Sequence, residues 1–80
     1  MKIPKIVNVI PEKNLLLIVT FSDGSKRYYD CNQVLDRNEY YNRLNNFHYF
    51  KNVQIDNGGH GVSWDDEVDI SEYEIFKNGF

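Results

Sequence analysis

The sequence predicts a small α+β domain: an antiparallel sheet, built from a three-strand meander plus a second hairpin, packed against one main helix and a short C-terminal helix. Three observations lead to this fold class. The first thirty residues contain short apolar runs separated by turn residues, which is typical of strands. The middle of the chain carries a helix cap signal followed by apolar residues at helical spacing. The last third contains a second pair of alternating runs and then a capping box.

Residues 3–10, 15–21 and 26–30 are the three predicted strands of the meander. Pro11 ends the first run, because proline lacks the N–H group that a strand donates to its neighbour. Asp23-Gly24 separates the second run from the third, and this pair tolerates the positive φ of a tight hairpin turn. Residues 15–21 place apolar side chains on both faces of the strand, which favours the central position in the sheet.

The segment after the third strand is predicted to be helical. Asp30 and Gln33 have the spacing of a cap residue and of a side chain that reaches back to it. Tyr40, Leu44 and Phe47 follow at positions i, i+4 and i+7, which lie on one face of a helix. We expect this face to pack against the sheet as the main helix.

A second hairpin is predicted further along the chain. Val53 and Ile55 alternate with polar residues, residues 56–59 offer turn chemistry, and Val62 and Trp64 alternate again. The predicted total is therefore five strands.

The C-terminal segment carries the signature of a short helix. Ser71 can cap the backbone N–H of Glu74, and the Glu74 side chain can reach back, which is the capping box. We find no linker, low-complexity run or long repeat. Residues 1–80 are therefore predicted to form a single domain.

The charge balance limits the classes of partner. The chain carries a net charge of −3 and has a pI near 5.2, so it lacks the diffuse positive charge that binds phosphate backbones or anionic lipid. The N-terminus has no signal-peptide pattern, and the lone Cys31 cannot form an internal disulfide. We expect a cytoplasmic protein that makes no direct contact with nucleic acid or membranes.

Two adjacent tyrosines on the third predicted strand could mimic an RNA-binding sheet. Tyr28 and Tyr29 follow Lys26 and Arg27, and such sheets stack bases on aromatic rings. The acidic total argues against that function. Because neighbouring strand residues point to opposite faces, we expect one ring in the core and the other exposed or covered by a partner.

The inventory of catalytic side chains is short. Cys31 with His48 or His60 is the one candidate for a thiolate–imidazole pair, and the sequence lacks the local motifs of enzymes that use it. Neither histidine has the spacing of a metal ligand. We expect no enzymatic activity and no bound cofactor.

Four carboxylates between Asp65 and Asp69 form the densest charge cluster. Asp65, Asp66, Glu67 and Asp69 could hold a hard divalent cation, although the pattern of a calcium-binding loop is absent. The other interpretations are a solvated acidic loop and a contact surface for a basic protein.

Four segments give the chain a family resemblance. They are the strand at residues 4–9, the turn at residues 21–24 with Asp30, the stretch at residues 47–53, and Trp64-Asp65 to Asp69-Ile70 followed by Tyr73. With them the chain resembles the bacterial family catalogued as domain of unknown function 2442. The resemblance implies a compact α+β domain with no catalytic residues to carry over. It also implies an antitoxin-like partner for the product of an adjacent gene.

The leading functional hypothesis is a non-catalytic protein-binding module, antitoxin-like or regulatory. Its predicted partner-binding residues are Arg27, Tyr29, Asp65, Asp66 and Glu67. Open sheet edges would also allow a homodimer through strand addition. The alternative hypothesis is a domain that binds a small molecule or a divalent metal, with residues 64–69 and the tyrosines lining a pocket.

Overall fold

The computed structural model describes residues 2–80, and its first sheet is the predicted meander. Strands β1 (Ile6–Glu12), β2 (Leu16–Phe21) and β3 (Lys26–Asp30) pair antiparallel in the order β1-β2-β3. The central position of β2 is confirmed. Its Leu17, Val19 and Phe21 share one face of the strand and are fully buried there, so this face is the inner one.

The first strand differs from its prediction at both ends. It begins at Ile6 and continues through Pro11, which pairs with Leu17, to Glu12. β1 lies at the edge of the sheet. At an edge, a proline whose nitrogen points away from the neighbouring strand removes no hydrogen bond between the strands. Proline therefore interrupts the sequence pattern without ending the strand.

The prediction of one main helix is wrong. The chain instead forms two 3₁₀ helices, Cys31–Val34 and Glu39–Asn45, and a single α-helical turn, α1 (Phe47–Phe50). Asp30 does cap the first of them, because its Oδ1 accepts from the Asn32 N–H at 2.9 Å.

Asparagine caps explain why a continuous helix does not form. The Asn38 and Asn46 side chains each accept from the N–H two residues on, so each starts a new helical segment. In a 3₁₀ helix residues i and i+3 align, and accordingly Tyr41 and Leu44 are buried. Tyr40, predicted to face the core, is exposed, and so is Phe47.

The predicted second hairpin is confirmed, and a third strand extends it. Strands β4 (Gln54–Ile55), β5 (Gly61–Asp65) and β6 (Val68–Ser71) form a separate antiparallel sheet in that order. The described chain thus has six strands in two sheets, where five in one sheet were predicted. β6 was missed because its alternation of buried Val68 and Ile70 with Asp69 lies within the acidic cluster.

The C-terminal helix α2 (Glu72–Asn78) confirms the predicted helix and its Ser71 cap, whereas the Glu74 side chain accepts from the Tyr29 hydroxyl instead of reaching back to the cap. The Ser71 hydroxyl oxygen accepts from the Glu74 N–H at 3.1 Å, and Ile75 is the fully buried residue of the helix. Both sheets, α2 and the helical segments contribute to one hydrophobic cluster. The Phe50 and Trp64 rings stack in this core at 5.7 Å, and Trp64 Nε1 donates to the Phe50 carbonyl oxygen. The α+β fold class is therefore confirmed.

No helix within residues 2–80 combines the length and the apolar character that crossing a bilayer requires.

Candidate functional site

The outer face of the first sheet, opposite the core, carries an exposed apolar row. The strand register aligns Ile10 with Ile18 and Ile18 with Tyr28 across the three strands. Ile10 is 45% exposed and Tyr28 is 40% exposed, while Ile18 between them is half-buried. Contiguous apolar surface of this kind marks contact sites more often than isolated exposed side chains do.

Phe80 extends this row by one position. Its N–H donates to the Tyr28 carbonyl oxygen at 3.0 Å, and its carbonyl oxygen accepts from the Tyr28 N–H at 2.9 Å. The two rings stack with centroids 5.9 Å apart, and Phe80 is 75% exposed. We call Ile10, Ile18, Tyr28 and Phe80 the apolar row.

Charges of opposite sign flank the apolar row on its two sides. The register defines two further rows on the outer face, which we call the basic row (Asn8, Thr20, Lys26) and the acidic row (Glu12, Leu16, Asp30). Lys26 and Glu12 are exposed, and Asp30 is half-buried beside the first 3₁₀ helix that it caps. The outer face is therefore apolar along its middle and polarised along the strands.

The edges of this sheet are less open than its face. β1 carries Pro11 and a register irregularity between Ile6 and Asn8, and both features discourage strand addition. On the β3 edge, the backbone N–H and carbonyl groups of Tyr28 are already hydrogen-bonded to Phe80. The Lys26 carbonyl oxygen accepts from the Arg27 side chain at 3.0 Å. This geometry favours the face over the edge as a contact surface.

Tyr29, one of the predicted partner-binding residues, is fully buried and does not belong to that surface. Its hydroxyl donates to Glu74 Oε2 at 2.7 Å, which ties β3 to α2. Burial, and then the Glu74 carboxylate, raise the pKa of this phenol well above its ordinary value. The prediction that only one of the two adjacent rings faces the core is confirmed, and Tyr28 is the exposed one.

Arg27 packs against α2. Its guanidinium lies 4.2 Å from the centre of the Phe76 ring, and its Nε donates to the Phe76 carbonyl oxygen at 3.1 Å. The side chain is half-buried on the inner side of β3. Its contacts hold the helix on the sheet, and they do not include the acidic cluster.

The acidic cluster spans the turn between β5 and β6, with Asp65 at the end of β5 and Asp69 within β6. Asp65 Oδ1 accepts from the N–H groups of Glu67 and Val68, at 2.9 and 3.0 Å, and so shapes the turn. Arg43 Nη1 lies 2.7 Å from Asp65 Oδ2 and 3.0 Å from Glu67 Oε1, and the Tyr49 hydroxyl donates to Asp65 Oδ2 at 2.6 Å.

These bonds change how the turn titrates. The Tyr49 hydrogen bond, together with backbone N–H groups and Arg43, lowers the pKa of Asp65 to about 2, and burial raises the pKa of Tyr49 to about 12. The positive charge of Arg43 offsets much of the negative charge of Asp65 and Glu67, which was predicted to attract a basic partner. Asp66 remains exposed at the tip.

The residues singled out for catalysis or metal binding do not assemble into such a site. Cys31 is fully buried, and burial raises its thiol pKa to about 12, the opposite of the shift that activates a nucleophile. His48 is exposed, and His60 Nδ1 contacts Lys5 Nζ at 3.1 Å and Glu72 Oε1 at 3.4 Å. Within residues 2–80, no three His, Cys, Asp or Glu side chains are grouped so that they could hold a metal ion.

Two open clefts lie away from the predicted ligand region. One, of about 230 Å³, is lined by Asn14, Leu15, Leu44, Asn45 and Phe47. The other, of about 420 Å³, is lined by residues 2–5 with Ser22 and Asp23. Neither includes Trp64 or the acidic turn, where the small-molecule alternative was placed.

The family model described as "Protein of unknown function (DUF2442)" matches residues 6–80. The chain belongs to the DUF2442 family. The matched region contains both sheets and α2 of this DUF2442 domain, so the resemblance found in the sequence is confirmed. A search of the curated proteins and a search of the solved structures each found no match.

Sequence reasoning missed most of the apolar row of this DUF2442 domain. A signal was present, because the alternation placed Leu16, Ile18 and Thr20 together on the second face of β2. We interpreted apolar residues on both faces only as a sign of the central position in the sheet. The pairing of Phe80 with Tyr28 joins distant parts of the sequence, and no local pattern indicates it.

Proposed function

We propose that this DUF2442 domain is a non-catalytic protein-binding module, antitoxin-like or regulatory, and that the outer face of its first sheet is the contact surface. The observation that carries the proposal is the exposed apolar row across β1, β2 and β3. An isolated apolar side chain on a surface needs no explanation, whereas four aligned ones do.

The apolar row offers enough surface to contribute substantially to binding. Tyr28 is 40% exposed and Phe80 is 75% exposed. Aromatic side chains bury about 150–250 Å² each, so covering the exposed parts of both rings removes on the order of 200 Å² from water. At about 25 cal/mol per Å², this contributes about 5 kcal/mol before the entropic cost of association is subtracted.

The chemistry of the surface also supports a protein partner. A matching surface needs an apolar centre for the row, an acidic group near Lys26 and a basic group near Glu12 and Asp30. The addition of a partner strand to an edge contributes less to binding, because features at both edges of the sheet discourage pairing with a further strand. The acidic turn contributes less electrostatic steering than its sequence predicts, because Arg43 pairs with Asp65 and Glu67.

Co-purification with the product of the neighbouring gene tests the proposal. Tyr28→Ser and Ile10→Ser each shorten an exposed side chain of the apolar row. Tyr73→Ser and Ile55→Ser are the matched controls, because Tyr73 is 54% exposed on α2 and Ile55 is 37% exposed on β4. We expect the row variants to weaken the complex about tenfold or more and the controls to leave it unchanged.

Equal retention of the complex by all four variants would place the contact surface elsewhere. Weakening by Asp66→Asn, with Tyr28→Ser behaving as wild type, would favour the acidic turn and contradict the proposal. Circular dichroism of each variant shows whether a loss of binding is accompanied by a loss of fold.

A further inference from the structure

The charge pattern of the outer face is complementary to itself. Lys26 belongs to the basic row, and Glu12 and Asp30 belong to the acidic row on the other side of the apolar row. The three rows are parallel to one another and perpendicular to the strands. A copy rotated by 180° about the apolar row therefore presents its acidic row to the basic row of the first copy.

We propose that, when no other protein is bound, a second copy of this chain covers the outer face, packed face to face about a two-fold axis that runs along the apolar row. This inference rests on the proposed function, since it concerns the same contact surface in the free chain. Two-fold contacts of this kind are the commonest in homo-oligomers, and they require one patch that matches itself.

The register specifies the contacts of this dimer. Residues on the axis meet their own counterparts, so Ile10 packs on Ile10 and Tyr28 on Tyr28. Lys26 lies opposite the second copy's Asp30, and this ion pair occurs twice by symmetry. Asn8 lies opposite Glu12 of the second copy, which lets an amide donate to a carboxylate.

The other face-to-face arrangement is less favourable. An axis along β2 places β1 over β3, so Glu12 lies opposite the second copy's Asp30. Like charges directly opposite each other are destabilising. Lys26 then lies opposite Asn8 and loses its ionic partner. The charges therefore select the axis along the apolar row.

The size of the face predicts a weak dimer. Four strand positions at about 4.8 Å and five residues at about 3.4 Å give an area on the order of 19 by 17 Å. Each copy then buries on the order of 400–500 Å² of accessible surface, about half of what a standard stable interface buries per partner. We expect a monomer–dimer equilibrium in the micromolar range that shifts toward monomer as salt rises.

Sedimentation of the purified chain over about 5 to 500 µM, at low and high salt, tests the inference. The wild type should show a concentration-dependent rise from monomer to dimer. Ile10→Lys should raise the dissociation constant at least about tenfold, because it places two ammonium groups on the axis. Ile55→Lys, in the second sheet, is the matched control and should leave the constant unchanged.

Charge variants test the direction of the axis. Lys26→Glu places one carboxylate opposite each copy's Asp30 and should weaken the dimer about fivefold to tenfold at low salt. Adding Asp30→Asn removes this repulsion and should recover part of the loss. Asparagine retains the oxygen that accepts from the Asn32 N–H, so it preserves the cap of the 3₁₀ helix.

A crosslinking measurement keeps the test independent of stability changes. Ile10→Cys should crosslink to its own counterpart with a short bismaleimide, because facing sheets lie about 10 Å apart. Ile55→Cys should not crosslink. The native Cys31 does not interfere, since it is fully buried.

The outcomes separate this inference from the proposed function. A dimer that Ile10→Lys and Lys26→Glu leave intact would overturn the inference. A chain that stays monomeric at the highest concentration, while Tyr28→Ser still abolishes binding to the neighbouring gene product, would overturn the inference and keep the proposed function. A monomeric chain whose binding ignores every outer-face variant would overturn both.

Discussion

Replacing Tyr29 by phenylalanine tests whether this residue stabilises the fold or binds a partner, since the sequence predicted that it binds a partner. The variant removes one oxygen, the hydroxyl that donates to Glu74 Oε2 at 2.7 Å, and keeps the buried ring. We therefore expect a loss of stability and no loss of partner binding. Tyr28→Phe is the control, because it removes the same oxygen from an exposed ring.

The size of the effect follows from the hydrogen bond and from what remains after its loss. A hydrogen bond to a charged group contributes about 1.5–3 kcal/mol to stability. The Glu74 side chain is 24% exposed and stays 3.7 Å from Arg37, so water and this cation partly replace the phenol. We expect Tyr29→Phe to lower the free energy of unfolding by about 1.5 kcal/mol. For a domain of this size that corresponds to about 6–12 °C in Tm.

The difference between wild type and variant should also depend on pH. The pKa of Tyr29 is raised in the folded state, so its contribution is fully present below the unfolded value near 10 and is lost as pH rises above it. At about pH 10.5 ionisation of the unfolded phenol reduces the difference by about 0.8 kcal/mol. Urea unfolding of both proteins near neutral pH and near pH 10.5 measures this change. Equal stabilities of the two proteins near neutral pH, or a gap that does not narrow, would refute the reasoning.

Three further predictions concern other parts of the fold. The Cys31 thiol should not react with a disulfide reagent until the protein unfolds, since burial raises its pKa to about 12; fast labelling of the native protein would contradict this. The pKa of Asp65 is lowered to about 2, so its contribution to stability is present above about pH 4 and is lost as pH falls toward 2; Asp65→Asn should flatten the acid limb of a stability–pH curve, and an unchanged acid limb would contradict this. Gly59→Ala should cost about 2 kcal/mol or more by thermal unfolding, because φ is +72° and a Cβ would lie 2.5 Å from a β1 carbonyl oxygen; Gly24→Ala, also at positive φ but in open space, should cost about 1 kcal/mol.

The parts of the fold that local chemistry dictates were predictable from the sequence. Asp23-Gly24 specifies a turn and Ser71 specifies a helix start, because each acts through its own backbone and near neighbours. The strand character of β2 was predictable for the same reason, because its apolar residues form a short run between two turns. Which of its two faces is the core was not predictable, because both carry large apolar side chains.

The helical region was mispredicted because local capping competes with helical periodicity. Tyr40, Leu44 and Phe47 have α-helical spacing, yet Asn38 and Asn46 stop and restart the helix within that window. The buried side chains are then spaced three residues apart instead of four, so a different set of side chains faces the core.

The candidate site was the least predictable feature, because it depends on tertiary pairing. Tyr29 and Tyr28 are equivalent by composition, and only the sheet register decides which ring is buried. Phe80 joins the apolar row through backbone bonds to a strand far away in the sequence. The charge of Asp65 was predictable, whereas its compensation by Arg43 on the second 3₁₀ helix was not.

Chemical-shift mapping tests most directly that the outer face is the contact surface. Amide and isoleucine methyl spectra are recorded as the chain is concentrated from about 20 µM to about 1 mM, and again after the neighbouring gene product is added. The account predicts that the changing signals cluster at Ile10, Ile18, Tyr28 and Phe80. Changes confined to the β5–β6 turn and Arg43, with an unchanged outer face, would contradict it.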